Sequence, residues 1–233
     1  RLYPRPTNKF VVFFGVSDFN AALKSYLEIS KRFGQFLQAF ELISDVGMLF
    51  LEETKMFRSN IERSKSDWHV LIELGFNNSS VEEEVYETLN NLFIKNIVSD
   101  VVIGDTEAKA RNLWKIREDI PEANRKIGAI TSHDISLPLE NMESFINQSL
   151  IEIKEINKLL RVNCFGHMGD GNLHFNIFPP KGEKNTSYLK IKSKLTDIIN
   201  NNCKSLHGSI SAEHGVGRLK VKDLKQYCDP GKF

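Results

Sequence analysis

The segment Phe165-Gly166-His167-Met168-Gly169-Asp170-Gly171-Asn172-Leu173-His174-Phe175-Asn176-Ile177-Phe178 is the densest set of groups able to do chemistry in this chain. Gly166, Gly169 and Gly171 fall within six residues and each weakens a helix, so the spacing predicts two strands joined by a tight Gly-Asp-Gly turn. Past the turn, strand alternation puts Asn172, His174 and Asn176 on one face and Leu173, Phe175 and Ile177 on the other. A row of Asn, His, Asn is unusual for mere solvent exposure. The turn folds His167 back toward His174, seven residues on, and two converging imidazoles are what a metal needs from its nitrogen ligands. A third ligand should be an acid or another imidazole.

Ser209-Ile210-Ser211-Ala212-Glu213-His214-Gly215-Val216-Gly217 supplies candidates, with small residues that let the backbone approach a ligand. Adjacent side chains at such a strand-to-helix junction point in different directions. Glu213 can therefore join the two histidines as an oxygen ligand, while His214, left off the metal, is free to exchange a proton as a general base. The plainer readings are a hairpin with satisfied polar groups and an acid beside a histidine capping a helix.

Other groups carry less. Arg117 ends a charge-rich helix and can fork onto a substrate carboxylate, although a solvated or Glu118-flanked surface arginine is the simpler account. Glu41 is an acid in the apolar run Ala39-Phe40-Glu41-Leu42-Ile43 and must be paired, capped or functional. For His133 and Asp134 a strand-end hydrogen bond suffices. His69 and His207 look structural, and Cys164 reads as a small buried hydrophobe.

The elements that must position these groups follow from hydrophobic period and breakers. Residues 10–16 read as a buried strand, after which Ser17-Asp18 caps a helix that Gly34 stops. Trp68 to Leu74 reads as a strand, followed by a helix from Ser79 or Ser80 with a Ser80–Glu83 capping box. Then come a short strand at 101–103, a helix from Thr106 to Asp119 ended by Pro121, an extended segment from Ile127 to Leu137 closed by Pro138, and a helix from about Glu140 to Asn157. Helices near 186–206 and 217–227 complete the chain. This irregular alternation predicts an α+β fold, helices on a mostly antiparallel sheet, with no evident domain boundary.

The chain has 233 residues and a formal net charge of +1, which provides no field to attract nucleic acid. Three cysteines at wide spacing fit a reducing compartment, the cytoplasm or its equivalent, better than a disulfide framework. The longest apolar run, Phe10 to Val16, is far short of the ~20 residues of a membrane helix. No signal peptide opens the chain; Arg1-Leu2-Tyr3-Pro4-Arg5-Pro6 reads as a connector, so something upstream is expected. Neither G-x-G-x-x-G after a strand nor a P-loop is present, so any nucleotide cofactor must be held mainly elsewhere.

Taken together, Gly166 to Asn176 and Ser209 to Gly217 closely resemble the two signature segments of the C-terminal domain of FAD-linked oxidases, the group that includes D-2-hydroxyglutarate and D-lactate dehydrogenases. Leu2 to Pro6, Ala39 to Ser44, Leu113 to Glu118 and His133 to Pro138 support the resemblance in the family's order, over nearly the whole chain. It implies a ferredoxin-like α+β domain, residues 1–233, that covers the flavin and carries the substrate site, with FAD held mainly by an N-terminal domain absent from this chain. It also implies a divalent metal, usually zinc, on His167, His174 and Glu213. His214 would take the substrate hydroxyl proton as hydride leaves for FAD, while Asn176 and Arg117 contact a D-2-hydroxy acid, Arg117 through a carboxylate. The flavin domain would lie upstream or in a partner chain, a homodimer is compatible, and the electron acceptor and any peripheral membrane association of the parent enzyme are open. Alone, the chain should bind metal but not turn over.

Departures bear on specificity. Ser132 stands where many relatives have lysine, and Pro121 where the 2-hydroxyglutarate enzymes tend to have threonine, so partners for a second carboxylate are removed and D-lactate, D-2-hydroxyglutarate and other D-2-hydroxy acids stay open. After Leu224 the family's usual further helix is missing before Pro230-Gly231-Lys232. Two rivals remain: a metal-dependent hydrolase using the same His, His, Glu set, and a non-catalytic ferredoxin-like binding module.

Overall fold

An unbroken apolar run makes a strand that is buried on both faces, and β1 (Asn8–Val16) is covered from Phe10 onward. In the computed structural model the described residues are 6–57, 65–77, 80–215, 217 and 227. They form two units, residues 1–123 and 124–233. The division falls inside a helix, where no linker-like run of Pro, Gly or Ser marks it in the sequence.

In the first unit, β1 leads into α1 (Phe19–Phe33), whose N-cap Asp18 accepts the Ala21 N–H at 2.7 Å. Lys31 and Arg32 end the helix, where positive charge suits the carbonyl end of its dipole. Next come β2 (Leu37–Ser44), α2 (Asp45–Glu53), β3 (Trp68–Phe76), α3 (Ser80–Ile94) and β4 (Ser99–Gly104). The strands lie in the order β4-β1-β3-β2, all antiparallel, with Val12 opposite both Ile72 and Ile103, and Phe40 opposite Ile72. This is two interleaved β-α-β halves, the ferredoxin-like arrangement, with α2 placed where β2 and β3 would otherwise meet in a hairpin.

β2 and α2 had no counterpart among the sequence expectations, because the run 39–43 carries an acid in mid-strand that breaks the apolar pattern. The helix expected to stop before Pro121 instead runs on as α4 (Glu107–Ile127). Proline inside a helix costs ~3 kcal/mol or more. Full burial of Ile120 and Ala123 on either side of it offsets that loss.

The second unit contains β5 (Thr131–Ser136), α5 (Met142–Ile156), β6 (Arg161–His167), β7 (Asn172–Phe178) and α6 (Leu189–Ser205), with strands in the antiparallel order β6-β7-β5. Leu173, Phe175 and Ile177 of β7 and Ile135 of β5 are fully buried. Phe145 of α5 meets Phe175 edge to face, ring centroids 5.3 Å apart. Leu195, Ile199 and Cys203 add the buried face of α6, which packs on β5 and α5. The extended segment expected from Ile127 starts only at Thr131, because α4 still occupies Ile127 and Gly128 turns with φ +85°. The expected helix at 217–227 except for its two end residues, the tail beyond it, most of the Leu2–Pro6 segment and the Ser80 side chain of the expected capping box lie outside the described residues.

Candidate metal and proton-transfer site

The hairpin β6–β7 turns through one 3₁₀ turn, Met168–Asp170, and Gly171 closes it with φ +69° and its N–H on the Met168 carbonyl at 3.1 Å. The turn is thus longer than a bare Gly-Asp-Gly and begins on a buried methionine. A side chain at Gly171 would run into the Leu137 carbonyl, and a Cβ at Gly166 would lie 2.5 Å from the Asn172 carbonyl oxygen. These two glycines let β5, β6 and β7 close up around the turn.

One face of these strands is polar, as the alternation predicts. Asp134 of β5 and Phe165 of β6 lie directly across from His174 of β7, and Ser132 and Asn163 lie across from Asn176. The Asn row is covered rather than wet: Asn172 and Asn176 are both buried. The Phe165 ring sits 4.9 Å from that of His174, a wall on one side of the imidazole.

Residues 209–215 dock onto this face. Ser136 and Ser209 exchange N–H···O=C bonds at 3.0 and 2.8 Å, which fastens the segment to the end of β5. Asp134 then takes hold of it: its Oδ2 accepts the Glu213 N–H at 2.8 Å and the His214 N–H at 3.0 Å, and its main-chain carbonyl accepts the Ala212 N–H at 3.3 Å. Asn172 Nδ2 donates to Asp134 Oδ1 at 2.9 Å. Burial pushes the Asp134 carboxyl up, but the His214 N–H, the Asn172 amide, the Glu213 N–H and nearby His174 outweigh it and hold the group below the usual carboxylate range.

The docking brings together three of the residues singled out from sequence. Ligand-capable atoms of His167, His174 and Glu213 all lie within 4.8 Å of one another. His167 Nε2 and Glu213 Oε1 are 3.3 Å apart, and the His167 and His174 rings are 6.3 Å between centroids. A tetrahedral ion with arms of ~2.0–2.1 Å needs ligand atoms about 3.3–3.4 Å apart, so this edge has the right length. Two imidazoles and one carboxylate form the donor set of an open zinc-type site with a position left for water or substrate. The residues present therefore fit a divalent cation.

His214 stands beside this trio, exposed, with its ring 5.9 Å from that of His174. Asp134, His174 and His214 form a second group of the same reach. It is the weaker cation site, because the Asp134 oxygens already accept three N–H donors. Asn176 lies one same-face position beyond His174 on β7, buried between Ser132 and Asn163.

Arg117 belongs to the first unit and is not a surface residue. It is 8% exposed, and its Nε donates to Glu41 Oε2 at 2.8 Å. The partner that Glu41 had to have is therefore this arginine. His69 is fully buried, stacked on Phe13 at 5.5 Å, and His207 follows α6 with φ +61°. Cys164 and Cys203 are buried thiols; burial pushes Cys164 up strongly and Cys203 up to about 12. Sequence reasoning missed the roles of Asp134 and Asn172. The signal available was an acid at the centre of an otherwise alternating strand, His133-Asp134-Ile135, but its register against His174 is not a local property.

Residues 5–233 match the family described as FAD linked oxidases, C-terminal domain. A Schizosaccharomyces pombe protein provisionally named a mitochondrial D-lactate dehydrogenase is 32% identical over 97% of this chain and 47% of its own length. The mitochondrial D-2-hydroxyglutarate dehydrogenase of Arabidopsis thaliana is 32% identical over 95% of this chain and 38% of its own length, so the chain spans less than half of either relative. Among solved structures, p-cresol methylhydroxylase with substrate bound superposes with a TM-score of 0.61 at 12% identity, covering 99% of this chain and 49% of that one. Alkyldihydroxyacetonephosphate synthase does so with a TM-score of 0.60 at 12% identity, covering 98% and 44%. With a family match from residue 5 to the last residue, this chain belongs to the C-terminal domains of FAD-linked oxidases.

Proposed function

We propose that this chain is the substrate- and metal-binding domain of a FAD-dependent D-2-hydroxy-acid dehydrogenase acting on a substrate of the D-lactate or D-2-hydroxyglutarate type. The observation that carries the reading is the convergence of His167, His174 and Glu213 with His214 beside them. The names of the S. pombe and Arabidopsis relatives support the substrate class. A FAD-binding domain, upstream or in a partner chain, would complete the active site.

In this reading His214 accepts the proton of the substrate's 2-hydroxyl while the C2–H bond breaks, its electron pair leaves as hydride, and the C2–O bond becomes a carbonyl. Bound FAD would supply the hydride acceptor, and a divalent cation, zinc being the natural candidate for this donor set, would supply Lewis acidity next to the substrate oxygen. His214 suits its role because it is exposed at the edge of the trio, within reach of an incoming ligand. Asn176 and Arg117 are proposed to hold the substrate, with the fork of Arg117 meeting a carboxylate and Glu41 orienting it. Among the described residues no helix is long and apolar enough to cross a membrane. We propose a reducing compartment on the strength of the buried Cys164 and Cys203 thiols, cytoplasmic or equivalent, and the relatives' names add the mitochondrion as a candidate.

The test is His174→Ala in the natively purified, flavin-bearing protein. Loss of both bound metal and hydroxy-acid turnover is the expected result. Unchanged metal and unchanged turnover would remove His174 from the site, a wild type with no turnover and a metal content that His174→Ala leaves unchanged would be a binding module, and hydrolytic activity independent of flavin would indicate a hydrolase.

A further inference from the structure

Asp134 is a buried carboxylate, 6% exposed, whose oxygens are taken up by N–H donors rather than left open to a cation. It lies at the crossing of the three pieces that make the site. On its own strand it faces His174 across the ladder, with Oδ1 3.6 Å from the imidazole Nδ1. Through Oδ2 it holds the N–H groups of both Glu213 and His214, the very residues read as ligand and base. Through Oδ1 it accepts Asn172 Nδ2, and Asn172 also reaches the Ile135 carbonyl at 3.3 Å.

We propose that Asp134 is the positioning residue of the site: its carboxylate fixes the backbone of Glu213 and His214 against β5 and orients His174. The proposal rests on the reading of His167, His174 and Glu213 as metal ligands. One side chain thus couples the hairpin that supplies two imidazoles to the loop that supplies the carboxylate and the base. The separation of 3.6 Å is too long for a hydrogen bond, so the carboxylate acts on the ring as a nearby negative charge facing Nδ1. A negative charge there favours the proton on Nδ1 and leaves the far nitrogen of His174 as the one suited to a cation. Glutamine or asparagine cannot substitute fully, because a single amide oxygen would have to satisfy donors now shared between two oxygens.

The experiment compares wild type, Asp134→Asn and Ile135→Val in the natively purified, flavin-bearing protein. Ile135 is fully buried on the opposite face of the same strand, so its variant reports generic damage to β5. Two quantities are read: zinc affinity by competition with a chromogenic chelator, and amide hydrogen exchange across residues 212–215 by mass spectrometry. In wild type the Glu213 and His214 amides exchange slowly even after metal is removed. In Asp134→Asn that protection is lost and zinc binds 10–100-fold more weakly, about the usual cost of losing such a partner, while Ile135→Val changes neither. Fast exchange at both amides in wild type overturns the proposal, a measurement that stands even if Asp134→Asn fails to fold. Retained protection or unchanged zinc affinity in a folded Asp134→Asn overturns it too, as does an equal loss in Ile135→Val. If wild type binds no zinc, the metal reading falls and with it the role toward His174; protection lost only in Asp134→Asn would then still support the fixing of Glu213 and His214.

Discussion

Glu213 and His214 are sequence neighbours with different surroundings, and the difference predicts separable phenotypes. The Glu213 carboxylate lies against His167, whereas the His214 ring is exposed to one side of His174. His214→Ala should therefore keep its metal and lose about 10²–10⁴-fold in kcat, the usual share of a general base. Glu213→Gln should lose metal as well, and elemental analysis beside steady-state kinetics separates the two. The pair was legible in the sequence because Gly215, Gly217 and the small residues before them mark a close-approach loop. Asp134 was not, since its importance comes from lying opposite His174 and below two amides eighty residues away in the chain, as the Asp134–His214 bond shows.

Between elements, the buried pair Glu41–Arg117 ties β2 to α4. Removing Glu41 takes away the carboxylate that Arg117 Nε meets in the buried interior, so Glu41→Ala should cost up to roughly 3–5 kcal/mol, read from the denaturant midpoint at constant slope. A midpoint like that of wild type would mean that water or another group already satisfies Arg117. In the hairpin, Gly171→Ala should destabilise by more than ~1 kcal/mol, because a side chain there is both left-handed and pressed on the Leu137 carbonyl. Cys164 and Cys203 should resist alkylation at neutral pH until the protein is denatured, as peptide mapping after a brief iodoacetamide pulse would show. The elements with clean signals were readable: β1 from its apolar run, α1 from Asp18, β6–β7 from the glycines. β2 and the far end of α4 were hidden because tertiary partners, Arg117 for Glu41 and burial around Pro121, override the local pattern.

At the scale of the molecule, two β-α-β halves interleave in the first unit and a three-stranded antiparallel unit in the second carries the histidine hairpin and its docking loop. The α+β class was legible from alternating elements; the exchange of strand order that makes the first unit ferredoxin-like was not, because pairing across β1 and β3 leaves no local mark. The lack of a nucleotide motif is what the proposal of a separate FAD-binding domain requires of this chain. A dehydrogenase of the proposed kind must have its flavin reduced by a D-2-hydroxy acid. The direct measurement is the visible absorption spectrum of the natively purified, flavin-bearing protein under anaerobic conditions, before and after D-lactate or D-2-hydroxyglutarate. Bleaching of the flavin band by one of these D-acids, and not by its L-enantiomer, is the predicted result. A flavin spectrum unmoved by either D-acid, or bleached equally by both enantiomers, would contradict it.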